Sequence, residues 1–364
     1  MTSLDGGWEV HHDVPLAPHT TLAVGGPARA FVALAETGGL PELLRWGRAR
    51  RWATCVLGGG SNLLVADAGF DGLVVRLDAH GCTAEVDGAE VRVRAEAGVV
   101  WDELAALAAQ RGWAGVECLS GIPGRVGAVP IQNVGAYGQE VAQVIRAVEA
   151  VELATGAPVM LPAAACGFGY RHSAFKGAWQ GTYVITAVTF GLRRGDAAAP
   201  RYPELAARLG LRDGGALPAP ATVRQAVLEI RRDKSMVYDP TDPNHRSAGS
   251  FFTNPIVDAA VAASLKAAHP DIPVFPAQAT ARKLSAAWLI ERSGFARGWQ
   301  RGAAGLSTKH TLALVNRGGA TARDLVAAAA HIRAGVRAAF GVTLVPEPVF
   351  LGFGADGSAV LDAA

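Results

Sequence analysis

The sequence is poor in the features that would assign it to several large classes of protein. Its four cysteines, Cys55, Cys82, Cys118 and Cys166, lie far apart and form no C-x-x-C pair. That spacing argues against a zinc site or a disulfide framework and predicts buried free thiols and no bound metal. Charged residues make up only 18% of the chain and nearly cancel, leaving a net charge of +2. With no Lys/Arg run and no basic stripe interleaved with aromatics, nucleic acid is not an expected partner. No stretch reaches the ~18 apolar residues of a membrane span. Met1 to Asp13 also lacks the apolar core of a leader peptide, so a cytoplasmic protein is expected. No cluster of His, Asp and Ser stands at catalytic spacing, and any catalytic groups must therefore come from separate segments.

What the chain has instead is apolar bulk and glycine: 364 residues, half of them hydrophobic, with 44 glycines. That length exceeds one comfortable core and predicts two or three domains. The most unusual stretch runs from Ile122 to Gly138, with four glycines, two prolines and, as ionisable groups, only Arg125 and the Tyr137 phenol. Glycine lets a backbone approach a ligand closely and proline fixes φ, so the stretch reads as a rigid wall of main-chain N–H groups. Gln132 and Asn133 add amide donors and acceptors, as a site for a flat polar-edged heterocycle requires. A glycine-rich connector with buried amides is the competing interpretation.

A second glycine segment, Gly58-Gly59-Gly60-Ser61-Asn62, lies between two strand-like runs, Ala53 to Leu57 and Leu63 to Val65. Strand-loop-strand is not a dinucleotide fingerprint, position 63 is leucine, and no Walker lysine follows. A nest of successive N–H groups with Ser61 and Asn62 could still bind an anion. Gly352, Gly354 and Gly357 match G-x-G-x-x-G, but too little chain follows for the helix that motif needs.

Alternation predicts strands at Phe31 to Ala35, Leu73 to Leu77, Val91 to Ala95, Val144 to Leu153 and Tyr183 to Leu192. Helices are predicted around Leu43, Leu44 and Trp46, over Val100 to Arg111, and over Thr222 to Arg232 with Thr222 and Gln225 in capping-box spacing. Ala197 to Pro220 reads as a surface excursion. The last third alternates helices, Val257 to Ala268 and Arg282 to Arg292, with a strand at Leu312 to Val315. A long helix from Ala322 to Phe340 then begins at Thr321 and Asp324, buries Leu325, Ala329, Ile332, Val336 and Phe340, and ends at Gly341. A closing strand is expected from Thr343 to Phe353.

Four residues in separate segments have side chains suited to chemistry. Arg171 offers a planar fork for a carboxylate, although a solvated surface arginine is the simpler interpretation. Ser250 sits between Gly249 and two phenylalanines, where a hydroxyl would be held in a dry wall or simply complete a turn. Asn254, before Pro255, suits a turn or a helix cap. Glu347 stands between Pro346 and Pro348, as a fixed carboxyl or a rim charge.

Taken together and in order, these segments resemble the UDP-N-acetylenolpyruvoylglucosamine reductase family. The matching stretches are Thr20 to Ala28, Leu57 to Asn62, Ile122 to Gly138, Phe168 to Arg171, Gly249 to Pro255 and Pro346 to Pro348. Tyr170 to Lys176, with Tyr202 downstream, resembles the branch of the family that keeps a tyrosine-bearing loop. The resemblance implies an α+β fold of three domains, two forming an FAD-binding module of the vanillyl-alcohol-oxidase type and one binding substrate. We place them at 1–77, 78–228 and 229–341, with 342–364 returning to the FAD-binding module.

The resemblance implies FAD as bound cofactor and NADPH as reductant, with UDP-N-acetylglucosamine enolpyruvate as substrate for a monomeric enzyme. Gly58, Gly59, Gly60, Ser61 and Asn62 would hold the pyrophosphate. Ile122, Pro123, Gly124, Gly127, Ala128, Ile131, Gln132, Asn133, Gly135, Ala136 and Tyr137 would line the flavin. Arg171 and Glu347 match the groups at the substrate carboxylate, where Glu347 either holds a shared proton or positions Arg171. Ser250 matches the proton donor. Tyr202, Lys234 and Asn254 match substrate contacts, and His310 stands where some members carry glutamine. The loop between Lys234 and Ser250, with Asp239 to Arg246, is longer than in the family and is expected to cover the substrate entrance. An FAD-dependent oxidase on the same scaffold is the alternative, and an idle flavin- or nucleotide-binding protein a third.

Overall fold

The computed structural model describes every residue except 1, 6, 199–201, 212–215 and 278, and the side chains of 2–5 are also left aside. The fold is α+β, and the chain divides into two compact units. The first comprises Met1–Val14, Ala28–Gly59 and Asp71–Tyr238; the second comprises Pro15–Pro27, Gly60–Phe70 and Asp239–Ala364. These two units do not follow the borders of the three expected domains. The second unit takes its long C-terminal part from residue 239 rather than 229 and includes 342–364, and it incorporates two short segments from the N-terminal third.

In the first unit, a five-stranded sheet runs in the order Thr2–Asp5, Trp8–Pro15, Pro27–Leu34, Phe70–Leu77 and Ala53–Leu57. Its last pair is parallel. The hairpin from Thr2 to Pro15 was not expected, because its burial alternates only loosely around Val10. A second sheet is antiparallel, in the order Pro158–Pro162, Ile145–Glu152, Tyr183–Arg194, Glu90–Glu96 and Cys82–Asp87, with Trp113–Ala114 also pairing on Tyr183–Arg194. Glu90–Glu96 shows why: Val91, Val93 and Ala95 are buried, while Arg92 and Arg94 face out, the period of a half-buried strand. The edge strand Cys82–Asp87 is exposed along its whole length. Cys82 is therefore an exposed thiol, which corrects the expectation that all four cysteines are buried; Cys118 and Cys166 are. Burial pushes the Cys118 thiol up to about 12.

The helix Trp101–Gln110 ends before Gly112, whose φ of 66° only glycine adopts without strain. The helix Pro220–Asp233 starts two residues before the predicted capping box, with Pro220 at its first position and no side-chain cap. Proline at the first helical position needs no N–H partner, and it sets the boundary that Thr222 was expected to set. The excursion between 197 and 220 contains a short helix, Pro203–Arg208, whose Leu205 is buried against Val223, Val227 and Ile230.

The second unit is built on the helix Ala322–Phe340, which buries Leu325, Ala329, Ile332 and Val336 as the periodicity predicts, whereas Phe340, expected on the same stripe, is only partly buried at the last position of the helix. Thr321 and Asp324 form the expected capping box, and Gly341 ends the helix at φ 67°. Two three-stranded sheets belong to the same unit, Ile256–Val257 with Arg282–Leu284 and Val274–Pro276, and Gln300–Arg301 with Ala304–Leu306 and Leu314–Asn316, the second of which packs on this helix. The expected helix over 282–292 is split, because Ser285 caps a shorter helix, Ala286–Arg292. The closing strand shrinks to Val349–Leu351, since Pro346 and Pro348 offer no N–H to a ladder. It pairs in parallel with Leu63–Val65. A short helix, Gly357–Asp362, does follow Gly352 and Gly354, but Asp356 already caps it by accepting from the Ser358 and Ala359 N–H groups.

Candidate active site

In the first unit, the ribbon from Ile122 to Gly138 is pinned at its start by main-chain bonds. The Val126 N–H donates to the Val99 carbonyl at 2.9 Å and the Gly127 N–H to Ala97 at 3.0 Å. A Cβ on Gly127 would lie 2.7 Å from that of Ala97, so only glycine permits this approach. Arg125 turns inward: its guanidinium donates to the Leu77 carbonyl and pairs with Asp78, both at 2.7 Å. Its charge thus anchors the ribbon to the end of the strand Phe70–Leu77.

Gly58 and Gly59, at the end of the strand Ala53–Leu57, lie against this ribbon. A Cβ on Gly59 would sit 2.8 Å from the Gly124 Cα, and one on Gly58 would touch the Ala128 side chain at 3.6 Å. The structure therefore brings two separately predicted glycine stretches into backbone contact. Ile122 and Ala136 pack against the core, Ile131 is exposed, and Pro123 and Gln132 lie at or near the surface of the ribbon.

Asn133 is 1% exposed and has a φ of 47°. Its amide donates to Glu140 at 2.8 Å and to the Gly169 carbonyl at 2.9 Å, and accepts from the Ala142 N–H at 3.0 Å. The side chain is thus committed inside the protein. Gly169 belongs to the tight turn closed by reciprocal Gly169 and His172 main-chain bonds, with Arg171 at its left-handed position, φ 51°. Arg171 in turn donates to the Gly135 carbonyl at 2.8 Å. The ribbon and Arg171 are consequently one assembly, with the guanidinium laid across Gly135.

Further along, Tyr137 meets Tyr202 edge to face at 5.4 Å. Burial pushes the Tyr137 phenol up to about 12, against the opposing pull of the Arg231 guanidinium. Tyr202, raised by burial and then by Glu204, sits at the N-terminus of the helix Pro203–Arg208. Lys234 pairs with Glu204 at 2.5 Å. Beneath them, Arg231 donates to the Met236 carbonyl at 2.7 Å, while its Nε is buried without a hydrogen-bond partner. Burial lowers its pKa, and Tyr137 and Asp102 work against that. Sequence reasoning passed over Arg231; the signal was a charged residue four places after Val227 on the buried stripe of its helix.

In the second unit, Gly60 abuts the segment after His19, where an added Cβ would lie 1.9 Å from the His19 carbonyl oxygen. The Thr21 N–H donates to the Gly60 carbonyl at 3.1 Å, and the Thr21 hydroxyl is buried without a partner. The Asn62 amide donates to the Glu347 carbonyl at 3.3 Å, and the Val349 N–H to the Asn62 carbonyl at 2.9 Å. The Glu347 N–H donates to the Phe251 carbonyl at 2.9 Å, and the Phe251 N–H to Leu312 at 2.7 Å. Asn62, the Ser250 segment and Glu347 are therefore neighbours, although they come from three distant stretches. Phe251 and Phe252 are buried and anchor the segment on which Ser250 stands half-exposed. Asn254 accepts from the Ala286 N–H at 2.9 Å and so caps the helix Ala286–Arg292. His310 lies in the turn between Ser307 and Ala313. The loop from Asp239 to Arg246 is fastened to that turn through buried Asn244.

Within the first unit, the close backbone approaches at Gly59 and Gly127, with a buried unpartnered Nε on Arg231, suit a large polar cofactor. Phosphate would meet N–H groups and a flat ring would meet main chain. Among the described residues no His, Cys, Asp and Glu group could hold a metal ion, and no helix is long and apolar enough to cross a membrane.

Comparison with known proteins bears on this arrangement. An FAD-binding domain family matches residues 28–161, and the C-terminal domain family of UDP-N-acetylenolpyruvoylglucosamine reductase matches 240–351. The reductase of that name from Thermobifida fusca is 50% identical over 349 residues, 93% of this chain and 97% of the relative. That from Nocardia farcinica is 49% identical over 358 residues, 95% and 91% of the two chains. The crystal structure of the Thermus caldophilus reductase superposes with a TM-score of 0.63 at 26% identity, covering 94% of this chain and 99% of that one.

Proposed function

The chain belongs to the UDP-N-acetylenolpyruvoylglucosamine reductase family, and from that premise we propose a specific reaction for it. The enolpyruvyl ether of UDP-N-acetylglucosamine enolpyruvate is reduced to UDP-N-acetylmuramate, a step of peptidoglycan precursor synthesis, with NADPH as electron source. The protein is an FAD-dependent oxidoreductase, and when bound the FAD supplies the hydride that the terminal vinyl carbon receives. Gly58 to Asn62 would hold its pyrophosphate and the Ile122 to Tyr137 ribbon its ring system.

The residues of the chain do the rest. An enolpyruvyl ether is electron-rich and accepts a hydride only if its carboxylate can take up the charge that develops. A fixed cation at that carboxylate is therefore the chief electrostatic requirement, and Arg171 meets it. The observation that carries this reading is the clamp of Arg171 on Gly135 at 2.8 Å, which holds the guanidinium on the ribbon assigned to the flavin. Glu347 supplies a carboxyl at the same end of the substrate; a proton on it would spare the developing charge a repulsion. The carbon alpha to the carboxylate then takes a proton, and we assign its donation to Ser250, whose segment is anchored by two buried phenylalanines. Tyr202, Lys234, Asn254 and His310 are assigned to the sugar nucleotide, and the enzyme acts as a cytosolic monomer.

The purified protein should be yellow, bleach with NADPH and regain colour on adding the enolpyruvyl nucleotide; return of colour by oxygen alone would favour an oxidase. Ser250→Ala should leave bleaching by NADPH nearly intact and slow the substrate step about a thousandfold. Equal losses in both steps would remove Ser250 from its role.

A further inference from the structure

The loop from Asp239 to Arg246 has a construction that the reading above does not use. Two Asp-Pro steps each close a turn: Asp239 accepts from the Thr241 N–H at 2.9 Å and Asp242 from the Asn244 N–H at 2.8 Å. Between them they project Asn244 inward, where it is 1% exposed. Its amide then bonds in every direction. It donates to Asp242 and to the Thr308 hydroxyl, both at 3.0 Å, and accepts from the Thr308 N–H at 3.0 Å and from Arg317 at 3.1 Å. Lys309 closes the other side by pairing with Asp242 at 3.2 Å.

The partners are the two residues immediately before His310. Beyond it, the Ala313 N–H donates to the His310 carbonyl at 3.1 Å and the Ser307 N–H to the Ala313 carbonyl at 2.8 Å, so the turn has little slack. Asn244 is bonded to this turn through Thr308 and to Arg317, whose guanidinium also donates to the Leu306 carbonyl at the base of the turn.

We propose that Asn244 is a positioning residue for substrate specificity: through Thr308 it sets the placement of His310 against the sugar-nucleotide diphosphate. The proposal rests on the assignment of His310 to the substrate. A buried amide with all its bonds satisfied tolerates little displacement, and the turn inherits that rigidity. The fastened loop then acts on binding rather than on the hydride or proton steps.

A double-mutant cycle tests this with Asn244→Ala, His310→Ala and the pair, assayed on flavin-loaded enzyme. His310→Ala and Asn244→Ala should each raise the KM for the enolpyruvyl nucleotide about tenfold, one hydrogen bond's worth, with kcat within about twofold. The pair should be no worse than His310→Ala alone. If the two KM effects multiply, or if Asn244→Ala lowers kcat instead, the positioning role is overturned while the assignment of His310 stands. If His310→Ala leaves KM unchanged, that assignment fails and the positioning role with it. Should Asn244→Ala not yield folded enzyme, Thr308→Val replaces it in the cycle, because it removes the hydroxyl contact and keeps the buried amide. A Thr308→Val effect that persists in full on the His310→Ala background overturns the proposal equally.

Discussion

Asn133 shows how a single residue can be read correctly in kind and differently in use. Its presence in an apolar glycine ribbon marks a polar contact, and the structure spends that contact inside the protein, on Glu140, Gly169 and Ala142. Because Gly169 carries the turn of Arg171, the amide reaches the candidate cation through one carbonyl. Its left-handed φ of 47° adds a second requirement that asparagine tolerates better than most residues. Asn133→Ala should therefore destabilise by about 2–4 kcal/mol, from an unsatisfied buried N–H and carbonyl plus backbone strain. Asn133→Gly removes the strain and keeps the lost bonds, so it should be milder by about 1 kcal/mol. Denaturant midpoints of the two variants decide the matter, and equal midpoints would mean that the backbone conformation costs nothing here.

At the scale of elements, the helix Ala322–Phe340 is held by two caps of different origin. Thr321 supplies the local one, and its bonds hold the Asp324 carboxyl below the usual carboxylate range. Asp67 supplies the other from far along the chain, accepting from the Ala322 N–H at 2.7 Å and the Arg323 N–H at 3.0 Å. Thr321→Ala should cost about 1 kcal/mol, the usual worth of a cap. Asp67→Ala should cost at least as much, since it also releases the segment 60–70 from the helix; urea unfolding that ranks it below Thr321→Ala would contradict this. The contrast explains what was legible in the sequence. Thr321, Asp324 and the stripe from Leu325 to Val336 follow a period of 3.6 within one segment and could be read directly. Asp67 could not, because nothing near it in sequence signals a helix it meets only after folding. The same holds within the site. Arg171, Ser250 and Glu347 were named from their segments, whereas the links of Asn133 to Gly169, Asn62 to Glu347 and Asn244 to Thr308 exist only in three dimensions. Local rules also misplaced two boundaries, where proline at 220 and serine at 285 set helix starts that periodicity alone does not fix.

For the molecule as a whole, the path of the chain limits which pieces can stand alone. The second unit draws on Pro15–Pro27 and Gly60–Phe70 as well as on everything after Asp239. Those two segments are structural parts of it. Leu22, Val24 and Leu64 are 0%, 3% and 0% exposed in its core. Leu63–Val65 is the sole sheet partner of Val349–Leu351 among the described residues, and Asp67 caps its longest helix. Asn316 also donates to the Leu22 carbonyl at 3.0 Å from a position 3% exposed, so removing the N-terminal segment would leave a buried amide unpaired. A fragment of residues 239–364 would lose three core side chains, a strand pairing and a cap together. The side chains alone represent roughly 1.5–3 kcal/mol each, and a domain's whole stability is only about 5–15 kcal/mol. The fragment should therefore show no cooperative urea transition by circular dichroism, and adding residues 1–238 in trans should restore one. A sharp transition from the fragment alone would mean that the two N-terminal segments decorate the unit rather than complete it.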